Sequence, residues 1–172
     1  MRRNLNLVLG IDPGTQLGWA VCTHDGRIVM SGVESFTDVA NKGYGAMFVA
    51  FRALLRNLQR NHGPFAAIAY ELPFMRGPVP SRILWGMAAH TQERCAMWRC
   101  RPLPVNTMTL KKFATGSGKA DKAQMISAAW LVLGEQHAPQ LSEHEADAIH
   151  VARWGVAQLN DRGGQGRWRD RQ

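Results

Sequence analysis

Cysteine is scarce in this sequence, and the few cysteines lack the spacing of a zinc site or a disulfide framework. Cys22, Cys95 and Cys100 are the only three in 172 residues, and none belongs to a Cys-x-x-Cys pair. Cys95 and Cys100 are five residues apart, but no second Cys/His pair follows that would complete a zinc site. We therefore expect the cysteines to act as small apolar residues in a reducing compartment.

Long apolar runs are also missing. No stretch approaches the roughly 18 apolar residues of a membrane span, and Asp12 interrupts the first run before it could form a signal-peptide core. We expect a cytoplasmic protein with no membrane partner. The chain shows no internal repeat and no linker, and 45% of its residues are hydrophobic. Its length predicts one domain with a substantial core.

Acidic residues are few relative to basic ones. Thirteen Asp and Glu oppose 21 Lys and Arg, which gives a formal net charge of +8 and indicates a polyanionic partner. The sequence offers no basic amphipathic helix to support a membrane surface as that partner, so nucleic acid is the better prediction. We place the domain at residues 1–160 and a basic tail, disordered until it meets a partner, at 161–172.

Apolar periodicity predicts an α/β fold built on five strands. The predicted strands cover residues 5–12, 17–24, 27–35, 65–70 and 101–105. The predicted helices cover residues 45–61, 81–98, 107–114, 121–133 and 143–159. Asp25-Gly26 predicts a hairpin turn, and Ser81 and Ser142 are expected to be helix N-caps. The prolines in Arg101–Val105 place the fifth strand at the sheet edge.

Two helices carry features that need an explanation. Arg52, Arg56 and Arg60 lie opposite the apolar stripe of the helix at 45–61, and we expect them to form a solvated face. The helix at 81–98 is apolar over much of its circumference. That pattern predicts either deep burial within one chain or contact with a second subunit, and both alternatives stay open.

Asp12 ends a continuous apolar run and is followed by Pro13-Gly14, a dipeptide that stops a strand. Burying an ionised carboxylate is costly unless a cation or a hydrogen-bond donor compensates it. This stretch alone supports two interpretations. Asp12 is either a turn residue that accepts backbone hydrogen bonds or a metal ligand.

Two more acidic positions favour the metal ligand. Glu71 also follows an apolar strand, and parallel neighbouring strands would bring it to the same sheet edge as Asp12, where ligands bind in open α/β sheets. His144 and Asp147 are three residues apart on the predicted sheet-facing side of the last helix. Glu143 and Glu145 suit the first turn of that helix and are expected to point toward solvent.

Three carboxylates and an imidazole would form an oxygen-rich ligand set typical of Mg²⁺ or Mn²⁺. Two such ions, roughly 4 Å apart, can clamp a scissile phosphate between the attacking water and the leaving oxygen. The sequence therefore predicts hydrolysis of a nucleic-acid phosphodiester. For His144 an inert capping role remains the alternative.

Four motifs, in order along the chain, resemble the RuvC-type Holliday-junction resolvases of the RNase H-like superfamily. They are Gly10–Gly14, Glu71–Met75, Leu110–Lys122 and Glu145–Ala148, and the resemblance spans about residues 5–157. His144 stands where the commonest family pattern has an acid, three residues before the final Asp. Some bacterial members share this departure.

The resemblance implies an RNase H-like, five-stranded mixed sheet with helices on both faces. It implies a structure-selective, metal-dependent endonuclease that resolves Holliday junctions by paired symmetric nicks. The implied partners are branched DNA and a second copy of the chain, with the helix at 81–98 as candidate dimer interface. The implied catalytic metal ligands, for two Mg²⁺ or Mn²⁺ ions, are Asp12, Glu71, His144 and Asp147.

The same resemblance implies DNA contacts. Lys111 and Lys122 match basic residues near the cleaved phosphate, and Phe74 matches an aromatic that stacks on bases at the crossover. Stacking of this kind is worth about 1–3 kcal/mol per base, although Phe74 as a buried loop anchor is the alternative. Further nucleic-acid-binding candidates in the same two segments are Arg76, Lys112 and Lys119.

Two other functions compete with this prediction. Actin-like and sugar-kinase-like ATPases have a phosphate loop similar to Gly10–Thr15, but they need two such domains, and that reading leaves Glu71, Asp147 and the basic charge unexplained. A nuclease for other branched or RNA-containing substrates stays open, because backbone contacts from Lys and Arg carry no sequence information. A relative that binds DNA without cleaving it is disfavoured, since all four metal positions hold residues able to bind a metal.

Overall fold

The structure, a computed structural model, describes residues 7–73, 78–134 and 141–161, which form five strands and six helices. The strands are β1 (Leu7–Asp12), β2 (Gln16–Cys22), β3 (Ile28–Ser35), β4 (Phe65–Glu71) and β5 (Arg101–Val105). The helices are α1 (Thr37–Ala40), α2 (Tyr44–His62), α3 (Pro78–Trp98), α4 (Thr107–Thr115), α5 (Lys122–Leu133) and α6 (Glu143–Asp161).

The strands form one mixed sheet in the order β3-β2-β1-β4-β5. β1 pairs antiparallel with β2 and parallel with β4, and β4 pairs parallel with β5. In the parallel pair Ile11 lies beside Tyr70, so Asp12 and Glu71 follow at the same carboxyl edge. The predicted five-stranded mixed sheet is confirmed, and so is the edge position of the proline-containing β5.

Helices cover both faces of the sheet, as the resemblance implied. One core joins α2 and α3 to the sheet and contains Phe51, Leu55 and Met87. The other contains Ala148 and Ala152 of α6 with residues of α4 and α5. Each large apolar side chain that is fully buried contributes about 1.5–3 kcal/mol. All three cysteines are buried in these cores.

Glycines in β1 and β2 allow α6 to lie directly on the sheet. A Cβ atom on Gly10 would be 2.3 Å from the backbone nitrogen of Ala152, and one on Gly18 would be 1.8 Å from the carbonyl oxygen of His144. Both neighbours are backbone atoms, which cannot rotate away. The two glycines therefore fix how closely the first turns of α6 approach the ends of β1 and β2.

The predicted start of α3 is wrong. The helix begins at Pro78, and Ser81 lies inside it rather than capping it. Proline is favourable in the first turn of a helix, where backbone N–H groups have no partner within the helix and the fixed φ angle suits helical geometry. Pro78 and Pro80 therefore lie in the first turn of the helix, which begins three residues before the predicted start.

Smaller differences have local causes. The sequence did not predict α1, because four residues are too few to show a helical period. β2 ends at Cys22, two residues early, since the backbone N–H of Thr23 already bonds to the carbonyl of Arg27 in the predicted hairpin turn. Asp161 ends α6 two residues beyond the predicted end, and the rest of the predicted tail lies outside the described residues.

The structure shows how far the arginines of α2 and the apolar surface of α3 are buried. Arg56 and Arg60 are exposed as predicted, but Arg52 reaches Glu93 of α3 at 3.8 Å. α3 buries much of its apolar surface within the chain and leaves Trp85 and Met97 at least half exposed. None of the helices in the described part of the chain has the length and hydrophobicity that crossing a bilayer requires.

Gly10→Ala is expected to lower the free energy of unfolding by about 3 kcal/mol, because the added methyl group must displace the backbone of α6. Urea denaturation measures this change. Gly45→Ala is the control, since a Cβ atom there meets nothing within 4 Å. That control should be neutral or gain up to about 1 kcal/mol from helix propensity. Equal stability of the two variants would show that α6 does not depend on Gly10.

Candidate active site

An open cavity of about 300 Å³ lies at the carboxyl edge of β1 and β4. The first residues of α5 and α6 and one side of α4 complete its walls. Its charged and imidazole side chains are Asp12, Glu71, Lys111, Asp121, Lys122, Glu143, His144 and Asp147. The four residues predicted as catalytic metal ligands, which come from three separate parts of the sequence, therefore share one cavity.

Asp12 and Glu71 are each held by a donor from another element. The Asp12 carboxylate, whose side chain is 15% exposed, lies 2.9 Å from Nδ1 of His144. The hydroxyl of Thr107, at the start of α4, donates a hydrogen bond to the Glu71 carboxylate. Partly buried carboxylates need such compensation, because removal from water penalises the charged form.

His144 is in direct contact with Asp12 and is not the cap of α6. Ser142 has that role, since its hydroxyl accepts a hydrogen bond from the backbone N–H of Glu145, as predicted. The hydrogen bond to Asp12 raises the pKa of His144 above its ordinary value, and the charge of Asp12 adds to the effect. The imidazole therefore provides positive charge to the acidic cavity as the pH falls.

The environment of Asp147 disfavours its charged form. Burial, and after it the negative charges of Asp12 and Glu71, raise its pKa from 3.8 to about 7. A carboxyl group in this position holds a proton near neutral pH unless a cation replaces that proton. This repulsion is evidence that Asp12, Glu71 and Asp147 act on one another.

The prediction that Glu143 and Glu145 point toward solvent is wrong. Glu143 turns toward the cavity, where its Oε2 atom pairs with Nζ of Lys122 at 2.5 Å. Glu145 accepts a hydrogen bond of 2.7 Å from the hydroxyl of Ser31 in β3. The sequence showed which residues suit a helix start, but the partners come from α5 and β3, which are distant along the chain.

The predicted nucleic-acid-binding residues fall into three groups. Lys111 and Lys122 line the cavity, whereas Lys112 and Lys119 are exposed and do not line it. Phe74 and Arg76 lie outside the described residues. The structure thus brings two lysines and the four predicted metal ligands together.

Sequence reasoning missed two polar residues of the cavity. Asp121 caps α5 in a capping box with Gln124, and the Asp-x-x-Gln pattern was a signal that could have located it. Thr107 contacts Glu71 across 36 positions of sequence. No local pattern could have indicated that contact.

The ligand set suits a divalent cation in its chemistry and its location. Oxygen donors with one imidazole are typical ligands of Mg²⁺ and Mn²⁺, and the carboxylates repel one another where no cation balances them. Among the described residues, no three His, Cys, Asp or Glu side chains are arranged to hold an ion. In this arrangement Asp12 bonds to Nδ1 of His144, and Glu71 accepts a hydrogen bond from Thr107.

Comparisons with known proteins extend these observations. No protein-family model matches the chain. It is 32% identical over 149 residues to the crossover junction endodeoxyribonuclease RuvC of Anaeromyxobacter sp. (strain Fw109-5), covering 85% of this chain and 70% of that protein. The structure of Thermus thermophilus RuvC is 22% identical, with a TM-score of 0.71. The same protein in complex with a Holliday junction substrate is also 22% identical, with a TM-score of 0.74. Each alignment covers 92% of this chain and 96% of the Thermus chain.

The mixed sheet, its helices on both faces and the acidic cavity at its carboxyl edge define an RNase H-like α/β protein. The Thermus structures, at their level of identity, support this fold. The chain belongs to the RuvC family of crossover junction endodeoxyribonucleases, because the Anaeromyxobacter relative matches it over most of both chains. It is therefore a member of a family of hydrolases that act on DNA, as predicted, and not an actin-like ATPase.

Asp147→Asn is expected to stabilise the protein in the presence of chelator at pH 8 by about 2–4 kcal/mol. A carboxyl whose pKa is raised to about 7 in the folded state destabilises that state progressively as pH rises from 3.8 to about 7. Asparagine removes this penalty. The gain should shrink as the pH is lowered from 8 to 5, and urea denaturation at both pH values measures it.

The control for this prediction is Asp38→Asn, which removes a carboxylate from the exposed surface of α1. Its effect should be small and nearly the same at both pH values. If Asp147→Asn behaved like Asp38→Asn, the carboxylates of the cavity would not repel one another as described.

Proposed function

We propose that this chain is a structure-selective, divalent-metal-dependent endonuclease that resolves Holliday junctions by paired symmetric nicks. The observation that carries the proposal is the convergence of Asp12, Glu71, His144 and Asp147 on one cavity. The Thermus protein, whose fold this chain shares, has a structure in complex with a Holliday junction substrate. We also propose a cytoplasmic location, because the substrate is cellular DNA.

The proposed cofactors are two Mg²⁺ or Mn²⁺ ions. Asp12, Glu71, His144 and Asp147 would hold them, and ions bound there would activate water and stabilise the leaving oxygen of a phosphodiester. Within the chain, Asp147 would give up its proton when a cation binds, because the cation replaces the proton in balancing Asp12 and Glu71. The hydroxyl of Thr107 would keep the Glu71 carboxylate oriented toward the cavity.

Basic residues around the cavity support binding of a DNA backbone. Lys111 and Lys122 line the same cavity as the acids, so a phosphate that enters it would meet two ammonium groups. Lys112 and Lys119 are exposed on α4 and the loop after it, where they would contact phosphates beyond the cavity. Base stacking by Phe74 and a contact by Arg76 stay predictions from the sequence.

A homodimer suits the proposed substrate. Two symmetric nicks in a four-way junction require two active sites related by a two-fold axis, and a two-fold interface uses the same surface of both subunits. We propose α3 as that surface, because its outer side exposes Trp85 (50%) and Met97 (62%).

Asp147→Asn should bind a four-way junction as well as the unaltered protein and should not cut it, because the substitution removes a metal ligand and leaves the core intact. Cleavage and gel-shift assays with four-way, three-way and linear DNA, in Mg²⁺, in Mn²⁺ and in chelator, measure both properties. Asp38→Asn is the control and should cut normally. Nicking by purified Asp147→Asn would refute its assigned role, and preference for another substrate would favour the nuclease alternative.

Lys111→Ala should weaken junction binding across sequences and reduce the slope of log affinity against log salt concentration by about one unit. The reason is that one fewer counterion leaves the DNA when a single phosphate contact is lost. Titrations at several salt concentrations measure the slope. Lys42→Ala removes an exposed charge in the turn before α2, away from the cavity, and should leave the slope unchanged. An unchanged slope in Lys111→Ala would mean that Lys111 does not contact phosphate.

A further inference from the structure

We propose that Glu143 is a positioning residue that holds the His144 imidazole in place, an inference that rests on the metal-dependent function proposed above. The two residues are neighbours at the start of α6, and both line the cavity. Glu143 is not among the four residues predicted as metal ligands. Its role follows from where its two carboxylate oxygens lie.

Both ring nitrogens of His144 face a carboxylate. Nδ1 lies 2.9 Å from Oδ2 of Asp12, and Nε2 lies 3.7 Å from Oε1 of Glu143. The first distance is a hydrogen bond, and the second is an ion-pair contact that is longer than a hydrogen bond. The imidazole is therefore bracketed, with Asp12 on one side and Glu143 on the other.

The second oxygen of Glu143 is anchored from a different helix. Oε2 pairs with Nζ of Lys122, the first residue of α5, at 2.5 Å. The side chains of Lys122 and Glu143 are 79% and 37% exposed, and ion pairs this exposed add little to stability. We therefore assign the Lys122–Glu143 pair to orientation. It places the Glu143 carboxylate beside Nε2 of His144.

Histidines that bind a metal generally need a hydrogen-bond partner for their other ring nitrogen. The ring nitrogen that does not bind the metal donates its N–H to a carboxylate, a carbonyl or water, and loss of that partner costs 10- to 100-fold in metal affinity. Nδ1 of His144 faces Asp12, which is itself one of the four proposed ligands, so Nε2 is the nitrogen that faces a carboxylate outside that set. An acid at position 144, the commonest family pattern, would have no second ring nitrogen and no such requirement.

The test measures Mn²⁺ binding to the protein without DNA, by isothermal titration calorimetry or electron paramagnetic resonance. Glu143→Gln should weaken Mn²⁺ binding at least tenfold. Glu145→Gln is the matched control, because it removes the same charge two residues along α6 from a side chain that bonds to Ser31 and does not line the cavity. Its affinity should stay within twofold of the unaltered protein. Chelator-treated variants should show unchanged circular dichroism.

Glu143→Asp distinguishes the effect of the position of the carboxylate on Mn²⁺ binding from the effect of its charge. Aspartate keeps the negative charge, but it is one methylene shorter and should not bridge Lys122 and His144, so Mn²⁺ binding should weaken at least fivefold. Full affinity in Glu143→Asp, or an equal loss in Glu143→Gln and Glu145→Gln, would show that charge alone matters and would overturn the inference. So would an affinity within twofold in Glu143→Gln. If the unaltered protein bound no Mn²⁺, the proposed function itself would fail.

Discussion

The direct contact of α6 with the glycines of β1 and β2 is the constraint on which the site depends. Helices usually pack on sheets through side chains, but here the backbone of α6 at His144 and Ala152 occupies the space where Gly18 and Gly10 would carry a Cβ atom. This approach brings the first turns of α6 down to the carboxyl edge of β1. His144 reaches Asp12 at 2.9 Å for that reason. A thicker layer between helix and sheet would separate the acid at the end of the central strand from the residues of the last helix.

The close approach of α6 to the sheet brings carboxylates together, and their mutual repulsion must be compensated. Asp12, Glu71 and Asp147 surround one partly buried cavity, and each relieves its charge differently. Asp12 uses the imidazole of His144, Glu71 uses the hydroxyl of Thr107, and Asp147 takes up a proton near neutral pH. A protein selected for stability alone would not place three carboxylates here, because burial and the neighbouring negative charges raise the pKa of Asp147 and thereby destabilise the folded state above that pKa. The arrangement is understandable as a functional site whose natural counter-charge is a cation.

How much could be predicted from the sequence depends on how local each signal is. Asp12 and Glu71 could be placed because each directly follows a buried strand, and the parallel pairing of β1 and β4 brings strand ends to one edge. His144 and Asp147 could be placed from their three-residue spacing on one helix. The inward turn of Glu143 could not, because its partner Lys122 belongs to another helix and nothing near either residue encodes the pair. The start of α3 was missed for the opposite reason, since prolines suit both a rigid loop and a first helical turn.

The histidine at position 144 links these observations. Replacing an acid by an imidazole removes one negative charge from the cavity and adds a ring with two nitrogens, only one of which can face an ion. Glu143 compensates for the lost charge and lies next to the second nitrogen. Its carboxylate lines the cavity together with Asp12, Glu71, Asp121 and Asp147, and its contact with Nε2 gives the ring a second carboxylate neighbour. Lys122 then balances Glu143, so the added carboxylate does not repel an incoming phosphate as strongly as a free one would. The departure at position 144 and the inward position of Glu143 are therefore linked by a direct contact between the two side chains.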